Sequence, residues 1–283
     1  MTMRSKLKYL MIGFLALAGC ALIGVGHANK PMTLPQNRAQ FAKVAVMITN
    51  NDQNSGGTGV ILDSRPGVSH ILTNKHVCQL IQVGGRVIDD NRASYPINSF
   101  RVYKKHDLCL ISVLKDLGVN IKVANKAPEV YSTSIVVGHP ALLPSIVSTG
   151  HFSQVLSINL TVGIIPCDGS EQGNDAVSCI FRGGKPQIIE LQAQVTSSTI
   201  MPGSSGSGVF NEKGELSGLI FAGNASFGYG MLVPWEYVSD FLAHTKQYPA
   251  QTPDPNKEPE NFFLNGTKAN SSLKYFEDGL WHE

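Results

Sequence analysis

The stretch Thr199-Ile-Met-Pro-Gly-Ser-Ser-Gly-Ser-Gly-Val-Phe210 decides how the rest of the sequence is interpreted. Gly203 and Gly206 flank Ser204 and Ser205, so the backbone can turn sharply and bring its N–H groups close to a bound carbonyl. An exposed hydroxyl beside such amides is what a nucleophile loop requires. Runs rich in glycine and serine are more often surface turns, so this interpretation needs a histidine and a carboxylate elsewhere in the chain.

Both groups occur in suitable contexts. His76 follows the β run Ile71-Leu-Thr73, at a strand end where a sheet can aim a side chain. Asp107 directly precedes the apolar strand Leu108-Cys-Leu-Ile-Ser-Val113, so we expect its carboxylate to be held against the protein. Each residue alone would more often be structural or part of a turn. Their order along the chain, His76, Asp107, Ser205, supports a shared catalytic role, because unrelated folds arrange the same three residue types in different orders.

The alternative of an α/β-hydrolase is disfavoured on two counts. That fold puts its serine before its histidine, in a Gly-x-Ser-x-Gly elbow that a helix follows. Here Ser207 stands where the second glycine of the elbow would be, and a strand start, Gly208-Val-Phe210, follows it. Ser204 and Ser207 are rival nucleophiles, but only Ser205 lies in a Gly-x-Ser-Gly frame.

Composition describes a globular protein with many turns. The chain has 283 residues, 42% of them hydrophobic and 16% charged, with a net charge of +2. A net charge of +2 is not the strongly basic charge that is typical of nucleic-acid-binding proteins, so we predict no nucleic-acid partner. The 28 glycines and 15 prolines, with few helical periods, favour an all-β fold.

Residues 1–28 resemble an export signal. Three basic residues precede the almost wholly apolar run Tyr9–Gly26, and Gly26-His-Ala28 suits a signal peptidase. Leu17-Ala-Gly-Cys20 also resembles a bacterial lipobox, which would place a lipid on Cys20, although Ala21–Val25 stays apolar where mature lipoproteins turn polar. An uncleaved membrane anchor is a third alternative. We therefore predict an exported protein that is periplasmic, secreted or attached to the membrane through its N-terminus.

The remaining cysteines agree with export. Cys78, Cys109, Cys167 and Cys179 are even in number, which suits disulfides in an oxidising compartment. Cys167 and Cys179 bracket a polar loop and are candidates for one disulfide. Cys78 and Cys109 each lie two residues past a candidate catalytic residue and would meet if those residues meet. The alternative is four buried free thiols, and no spacing indicates a zinc site.

The sequence from Phe41 to about Val233 predicts short strands separated by turns. A polar lead-in at residues 29–40 precedes predicted strands at Phe41–Thr49, Thr58–Leu62 and Ser69–Thr73, and similar runs continue to about Val233. Pro234 begins a helix that packs one apolar face on the β core and extends to about residue 246. Residues 247–283 form a polar, proline-containing tail with little core of its own.

With these motifs in order, the sequence resembles trypsin-like serine endopeptidases, and most nearly their bacterial HtrA-like (Deg) branch. The resemblance runs from about Phe41 to Lys246. The motifs that carry it are Ser55–Leu62, Leu72–Val77, His106–Val113, Ile135–Pro140 with Ser148–Gly150, Met201–Val209 with Gly214–Gly218, and Gly228–Pro234.

The resemblance implies an all-β fold of two antiparallel six-stranded β-barrels, at about 41–122 and 129–233, with a short C-terminal helix at 234–246. The active site would lie in the cleft between the barrels, and it would need neither a metal nor an organic cofactor. By resemblance, Ser205 is the nucleophile, His76 the general base and Asp107 the residue that orients the base. The amides of Gly203 and Ser205 would form the oxyanion hole.

The resemblance also suggests where polypeptide substrates would bind. The residues expected to wall the pocket for the side chain before the scissile bond are Thr199, Ile200, Ile220, Phe221 and Ala222. Because residues 199–201 include no acid, we expect small or medium apolar side chains there rather than Arg or Lys.

Two departures from the branch matter. Ser207 replaces its usual glycine, and the 36 residues after Gln247 leave no room for a PDZ domain, so we expect a stand-alone protease domain of undetermined oligomeric state. The rival hypothesis is a catalytically silent barrel that serves as a binding or chaperone module, which a collapsed Pro202–Ser205 loop would favour.

Overall fold

The computed structural model of the chain describes residues 41–164, 186–224, 228–260, 262, 275–277 and 280–282. They all belong to one compact unit, Asn37–Glu283. The predicted export segment with Cys20, the lead-in at 29–40, and the predicted Cys167–Cys179 disulfide lie outside the described residues.

The first six strands close into an antiparallel barrel in the order β1-β2-β3-β6-β5-β4. Alternate side chains of its strands point inward and form one buried apolar core that includes Ile48, Ile71, Phe100 and Ile111. A short helix, α1, separates β3 from β4. The bounds are β1 Ala45–Asn50, β2 Gly56–Arg65, β3 Val68–Thr73, α1 Lys75–Leu80, β4 Gly85–Ile88, β5 Ser94–Val102 and β6 Cys109–Val113.

The next six strands close a second antiparallel barrel, in the order β10-β11-β12-β9-β8-β7. Its core includes Val136, Phe152, Val209 and Leu232. Its bounds are β7 Thr133–Gly138, a 3₁₀ turn Pro140–Leu142, β8 Ile146–Ile164, β9 Pro186–Thr196, β10 Gly208–Phe210, β11 Leu216–Asn224 and β12 Tyr229–Val233. The predicted all-β fold of two six-stranded barrels is therefore confirmed.

A longer helix, α2 (Trp235–His244), follows the second barrel, as predicted for the C-terminal helix. Pro234 occupies the N-cap position, and Val238 and Phe241 are its buried residues. A 3₁₀ turn, Thr245–Gln247, ends the helix, and two short strands, β13 (Tyr275–Glu277) and β14 (Leu280–His282), pair with each other. No helix in the described part of the chain is long and apolar enough to cross a membrane.

One local prediction was inaccurate. The predicted strand Phe41–Thr49 begins only at Ala45, because Phe41 and Ala42 are helical and the Val44 N–H donates to the Phe41 carbonyl. The Phe41 ring instead packs edge-on against Phe210 of the second barrel, with 5.3 Å between ring centroids.

The start of the predicted tail is also more closely held than its composition suggests. Gln251 exchanges both backbone hydrogen bonds with Phe100 of β5. Gln82, just after α1, bonds the backbone N–H and C=O of Glu260 through its side-chain amide, and Phe262 packs on the core of the first barrel. The tail has no separate core here, but it packs along the barrel that carries α1.

Candidate active site

His76 lies in the first turn of α1, directly after β3. The helix is short, and the disulfide Cys78–Cys109 joins it to β6. The side chain of His76 is 31% exposed and lines a cleft of about 240 Å³. The histidine is therefore fixed by backbone and covalent contacts while its ring faces the cleft.

Asp107 is buried directly before β6 and holds His76 by two hydrogen bonds. Its Oδ2 atom is 2.7 Å from His76 Nδ1, and its Oδ1 atom accepts the His76 backbone N–H at 3.1 Å. The side-chain amide of Asn74 donates to the Asp107 carbonyl at 3.0 Å. Both the ring and the backbone of the histidine are thus positioned by one carboxylate.

The charge of that carboxylate is maintained by its neighbours. Burial alone would raise the pKa of Asp107, but the His76 ring, through its charge and hydrogen bond, and the Lys75 charge hold it below its ordinary value. Burial in turn lowers the pKa of Lys75 to about 8, against the attraction of Asp107. Asp107 is therefore ionised at neutral pH although almost no solvent reaches it.

The predicted Cys78–Cys109 disulfide is present. Each cysteine lies two residues past His76 or Asp107, so the bond joins the two segments that carry the hydrogen-bonded pair. Both cysteines are fully buried in the core of the first barrel. The alternative of free thiols at these two positions is wrong.

Removing this disulfide should destabilise the protein strongly. Because the bond closes a loop with a sequence separation of 31, the chain-entropy model predicts a loss of roughly 3–4 kcal/mol in the free energy of unfolding when both cysteines are replaced with alanine. Guanidinium unfolding of Cys78→Ala/Cys109→Ala beside the wild type, without reductant, measures this loss. Equal midpoints would show that the bond contributes nothing.

The serine loop contains a well-defined turn. The Ser204 N–H donates to the Met201 carbonyl at 2.9 Å, which closes a four-residue turn with Pro202 and Gly203 at its centre. Gly203 has φ +82°, and a central proline followed by a residue with positive φ defines a type II turn. Glycine is suited to this position because it lacks a Cβ atom.

Two amides, one in this turn and one directly after it, donate no hydrogen bond within the described part of the chain. The Pro202 carbonyl accepts the Ala141 N–H at 2.5 Å, and the planar trans peptide makes the Gly203 N–H point the opposite way. Among the hydrogen bonds of the described residues, neither the Gly203 nor the Ser205 N–H is a donor. The amides of Gly203 and Ser205 are the two that the sequence predicts for an oxyanion hole.

The three serines differ in exposure and in partners. Ser207 is fully buried near Gly138, and Ser204 is 5% exposed, with its hydroxyl accepting the Met201 N–H at 3.2 Å. Ser204 and Ser205 both line the same cleft as His76, but Ser205 is half-buried and therefore the more accessible of the two. This arrangement favours Ser205 over both rival nucleophiles.

The structure brings only some of the predicted pocket residues to the cleft. Ile200, Ile220 and Ala222 line it. Phe221 does not, because its neighbours in β11 face the cleft and its own ring is buried against His106, with 5.7 Å between centroids. Thr199 is exposed outside the cleft lining, and its carbonyl accepts the Ser148 hydroxyl at 3.1 Å.

A second histidine–aspartate pair lies elsewhere on the first barrel. His70 Nδ1 and Asp63 Oδ1 are 2.8 Å apart across β2 and β3, with both side chains about one-third exposed. Neither residue lines the cleft. The distance between His70 and Asp63 resembles that between His76 and Asp107, but this second pair lies away from the cleft that Ser205 lines.

His106 connects Asp107 to the second barrel. Its Nδ1 accepts the Asp107 N–H at 2.8 Å, so its Nε2 carries the proton and donates to the Gln192 carbonyl at 2.6 Å. The ring also packs on Tyr237 of α2 and on Phe221. Burial lowers the pKa of His106, with a smaller opposing effect from its bond to Gln192.

The pH dependence of stability should reflect this buried histidine. Because the folded pKa lies below the unfolded value of about 6.5, the unfolded chain binds the proton more readily. Stability is therefore intact above pH 6.5 and falls as the pH drops below it, by up to about 1.4 kcal/mol per pH unit. We expect His106→Gln to lose less stability than the wild type between pH 7 and pH 5.

Denaturant unfolding at both pH values tests this expectation, with His151→Gln as the control because His151 is exposed. The control should keep the wild-type pH dependence. If His106→Gln also kept it, His106 would not be the group responsible.

Two parts of the site were not predicted from the sequence. One is Thr58 in β2, which contacts the serine loop, although its Gly-Gly-Thr-Gly context was a visible signal of close backbone approach. The other is the turn Pro140–Leu142, where Ala141 and Leu142 have positive φ values of 51° and 55° and line the cleft. No local sequence pattern predicts the positive φ values of that turn. The described residues contain no cluster suited to a metal ion.

A family model described as a trypsin-like peptidase domain matches residues 57–219, more than half of the chain. This range includes His76, Asp107 and Ser205.

Solved structures of bacterial proteases share the fold. The active form of the Rv3671c protease from M. tuberculosis is 15% identical, with a TM-score of 0.55 over 76% of this chain and 84% of that chain. The serine endoprotease from Yersinia pestis is 20% identical, with a TM-score of 0.51 over 74% and 66%. The HtrA-type protease AlgW, solved with a tripeptide, is 16% identical, with a TM-score of 0.54 over 73% and 61%. At these identities the similarity is one of fold.

Proposed function

The chain belongs to the trypsin-like peptidase family and is a serine endopeptidase, and from this premise we propose that Ser205, His76 and Asp107 are its catalytic triad. The proposal is carried by the 2.7 Å hydrogen bond between His76 Nδ1 and Asp107 Oδ2, at a cleft that Ser205 also lines. A carboxylate that accepts the Nδ1 proton leaves Nε2 of the same ring as the base.

The chemistry follows from these positions. Ser205 Oγ attacks the scissile carbonyl carbon as His76 Nε2 takes its proton, and Asp107 stabilises the imidazolium that forms. His76 then gives the proton to the leaving amine, and the peptide bond breaks to leave an acyl group on Ser205. A water molecule, deprotonated by His76, hydrolyses this ester and restores the enzyme.

The oxyanion of each tetrahedral intermediate would bind to the N–H groups of Gly203 and Ser205. Their lack of another acceptor among the described residues supports this role. The type II turn at Met201–Ser204 also argues against the rival hypothesis of a silent binding module, since that hypothesis expects a collapsed loop here.

The cleft supports a preference for small or medium apolar residues before the scissile bond. Ile200, Ile220 and Ala222 are apolar, and none of the described residues that line the cleft is acidic. The end of Ile200 lies so close to Gly223 that a Cβ atom added to Gly223 would be 2.0 Å from Ile200 Cδ1. Ile200 therefore occupies space that a long substrate side chain would need.

Export from the cytoplasm is part of the proposal. The sequence of residues 1–28 motivates it, and the Cys78–Cys109 disulfide supports an oxidising compartment. N-terminal sequencing of the protein from membrane and soluble fractions distinguishes a cleaved signal from a lipid on Cys20 or an uncleaved anchor. Recovery of only an unprocessed cytoplasmic protein would refute export.

Labelling with a fluorophosphonate serine probe tests the triad. The wild type should be labelled, Ser205→Ala should not, and Ser204→Ala should remain labelled because the Ser204 hydroxyl serves the turn. A wild type that folds but is never labelled would contradict the proposal, as would labelling that persists in Ser205→Ala. Cleavage of a peptide library by the wild-type protein then tests the preference for apolar residues before the scissile bond.

A further inference from the structure

The side chain of Thr58 makes the contacts of a positioning residue. We propose that its hydroxyl holds Gly203, and with it the oxyanion-binding turn, in the conformation that the reaction needs. The inference rests on the proposed function, because it assigns a role within the same site. Thr58 lies in β2 of the first barrel, whereas Ser205 and Gly203 precede β10 of the second.

The Thr58 hydroxyl is fully buried and uses both its donor and its acceptor capacity. It donates to the Gly203 carbonyl at 2.9 Å and accepts the His139 N–H at 2.9 Å. The Thr58 backbone N–H donates to the Ser205 carbonyl at 2.7 Å. One residue of the first barrel therefore bonds the carbonyls of both residues whose amides would bind the oxyanion.

These contacts fix the amides because peptide groups are planar. The Gly203 N–H shares a peptide with the Pro202 carbonyl, which the Ala141 N–H holds. The Gly203 carbonyl, on the other side of the same residue, is held by Thr58. With the peptides on both sides anchored, φ and ψ of Gly203 are set, and its N–H cannot rotate away without breaking a hydrogen bond.

The other bond of the hydroxyl reaches the loop that supplies the Ala141 anchor. That loop begins at His139 and contains two consecutive non-glycine residues with positive φ, Ala141 and Leu142. Such backbone is strained and persists only when its surroundings hold it. Because the Thr58 hydroxyl accepts the His139 N–H, it secures the start of this loop as well as the turn.

Thr58→Val removes the hydroxyl while nearly keeping the shape of the side chain. We expect kcat to fall about 10- to 100-fold with KM unchanged within about twofold, because loosened donors affect the transition state and not ground-state binding. Affinity for a peptide aldehyde, whose adduct places an oxygen in the oxyanion hole, should fall by a similar factor. Thr58→Ser should restore most of both losses.

A matched control is available in the same barrel. Thr49 is buried in β1, and its hydroxyl has no hydrogen-bond partner among the described residues. Thr49→Val should therefore leave kcat and aldehyde affinity unchanged. Peptide affinity measured in Ser205→Ala and Thr58→Val/Ser205→Ala should be equal, which separates positioning of the oxyanion donors from damage to the substrate cleft.

The outcomes separate this inference from the proposed function. A folded wild type without activity contradicts the triad itself. An active wild type whose Thr58→Val variant keeps its kcat overturns the role of Thr58, as does a loss that appears in KM or in Ser205→Ala peptide binding. Should Thr58→Val not fold, Thr58→Cys takes its place. A thiol is a weak donor, so a kcat for Thr58→Cys equal to that of Thr58→Ser would overturn the proposal.

Discussion

Replacing Asp107 with asparagine should lower kcat by about 10⁴-fold while the site keeps its shape. In the native protein, Asp107 accepts both the His76 backbone N–H and the Nδ1 proton. Asparagine has only one side-chain oxygen, and this oxygen would accept the His76 backbone N–H. Its NH₂ group would then face His76 Nδ1. The ring is then held with its proton on Nε2, where it cannot accept one from Ser205.

Steady-state kinetics of Asp107→Asn on a peptide from the library gives the loss in kcat, and the rate of fluorophosphonate labelling should fall in parallel. Asp63→Asn is the matched control, because it removes the carboxylate charge from a His–Asp pair of nearly equal length at His70, outside the cleft. The control should retain wild-type kcat. Equal losses in both variants would mean that the effect is one of general stability.

Much of this site could be predicted from the sequence because its signals are local. Alternating apolar runs between turns indicated the strands, and the positions of His76, Asp107 and Ser205 relative to those runs indicated the site. The disulfide was foreseeable for the same reason, since Cys78 and Cys109 follow two of these residues at equal spacing.

The contacts that hold the serine loop and the start of the tail in place are long-range, and the sequence contains little indication of them. Thr58 bonds Gly203 across 145 residues, and Gln82 bonds Glu260 across 178. The inward or outward direction of Phe221 also depends on how the second barrel closes, because its β11 neighbours pair irregularly with β12 between Ile220 and Ala222. Local patterns carry residue types, whereas these features depend on the folded topology.

The conformation of Gly203 should also be important to the reaction. Gly203→Ala should lower kcat by about 10²- to 10³-fold, the usual effect of losing one oxyanion donor. At φ +82° an alanine is strained, and its Cβ atom would lie 2.9 Å from both the Ala141 nitrogen and the His139 carbonyl oxygen. Relaxing to negative φ would turn the Pro202–Gly203 peptide, break the Ala141 hydrogen bond and withdraw the Gly203 N–H.

Gly67→Ala separates this effect from backbone strain alone. Gly67 has φ +87°, close to that of Gly203, but a Cβ atom there would meet nothing within 4 Å. Gly67→Ala should lose about 1–2 kcal/mol in the free energy of unfolding, and Gly203→Ala should lose more because of its backbone contacts. Only Gly203→Ala should lose kcat and affinity for a peptide aldehyde. Retention of aldehyde affinity in Gly203→Ala would show that the Gly203 amide does not bind the oxyanion. The second donor to the oxyanion, beside the Ser205 N–H, would then have to lie elsewhere in the cleft.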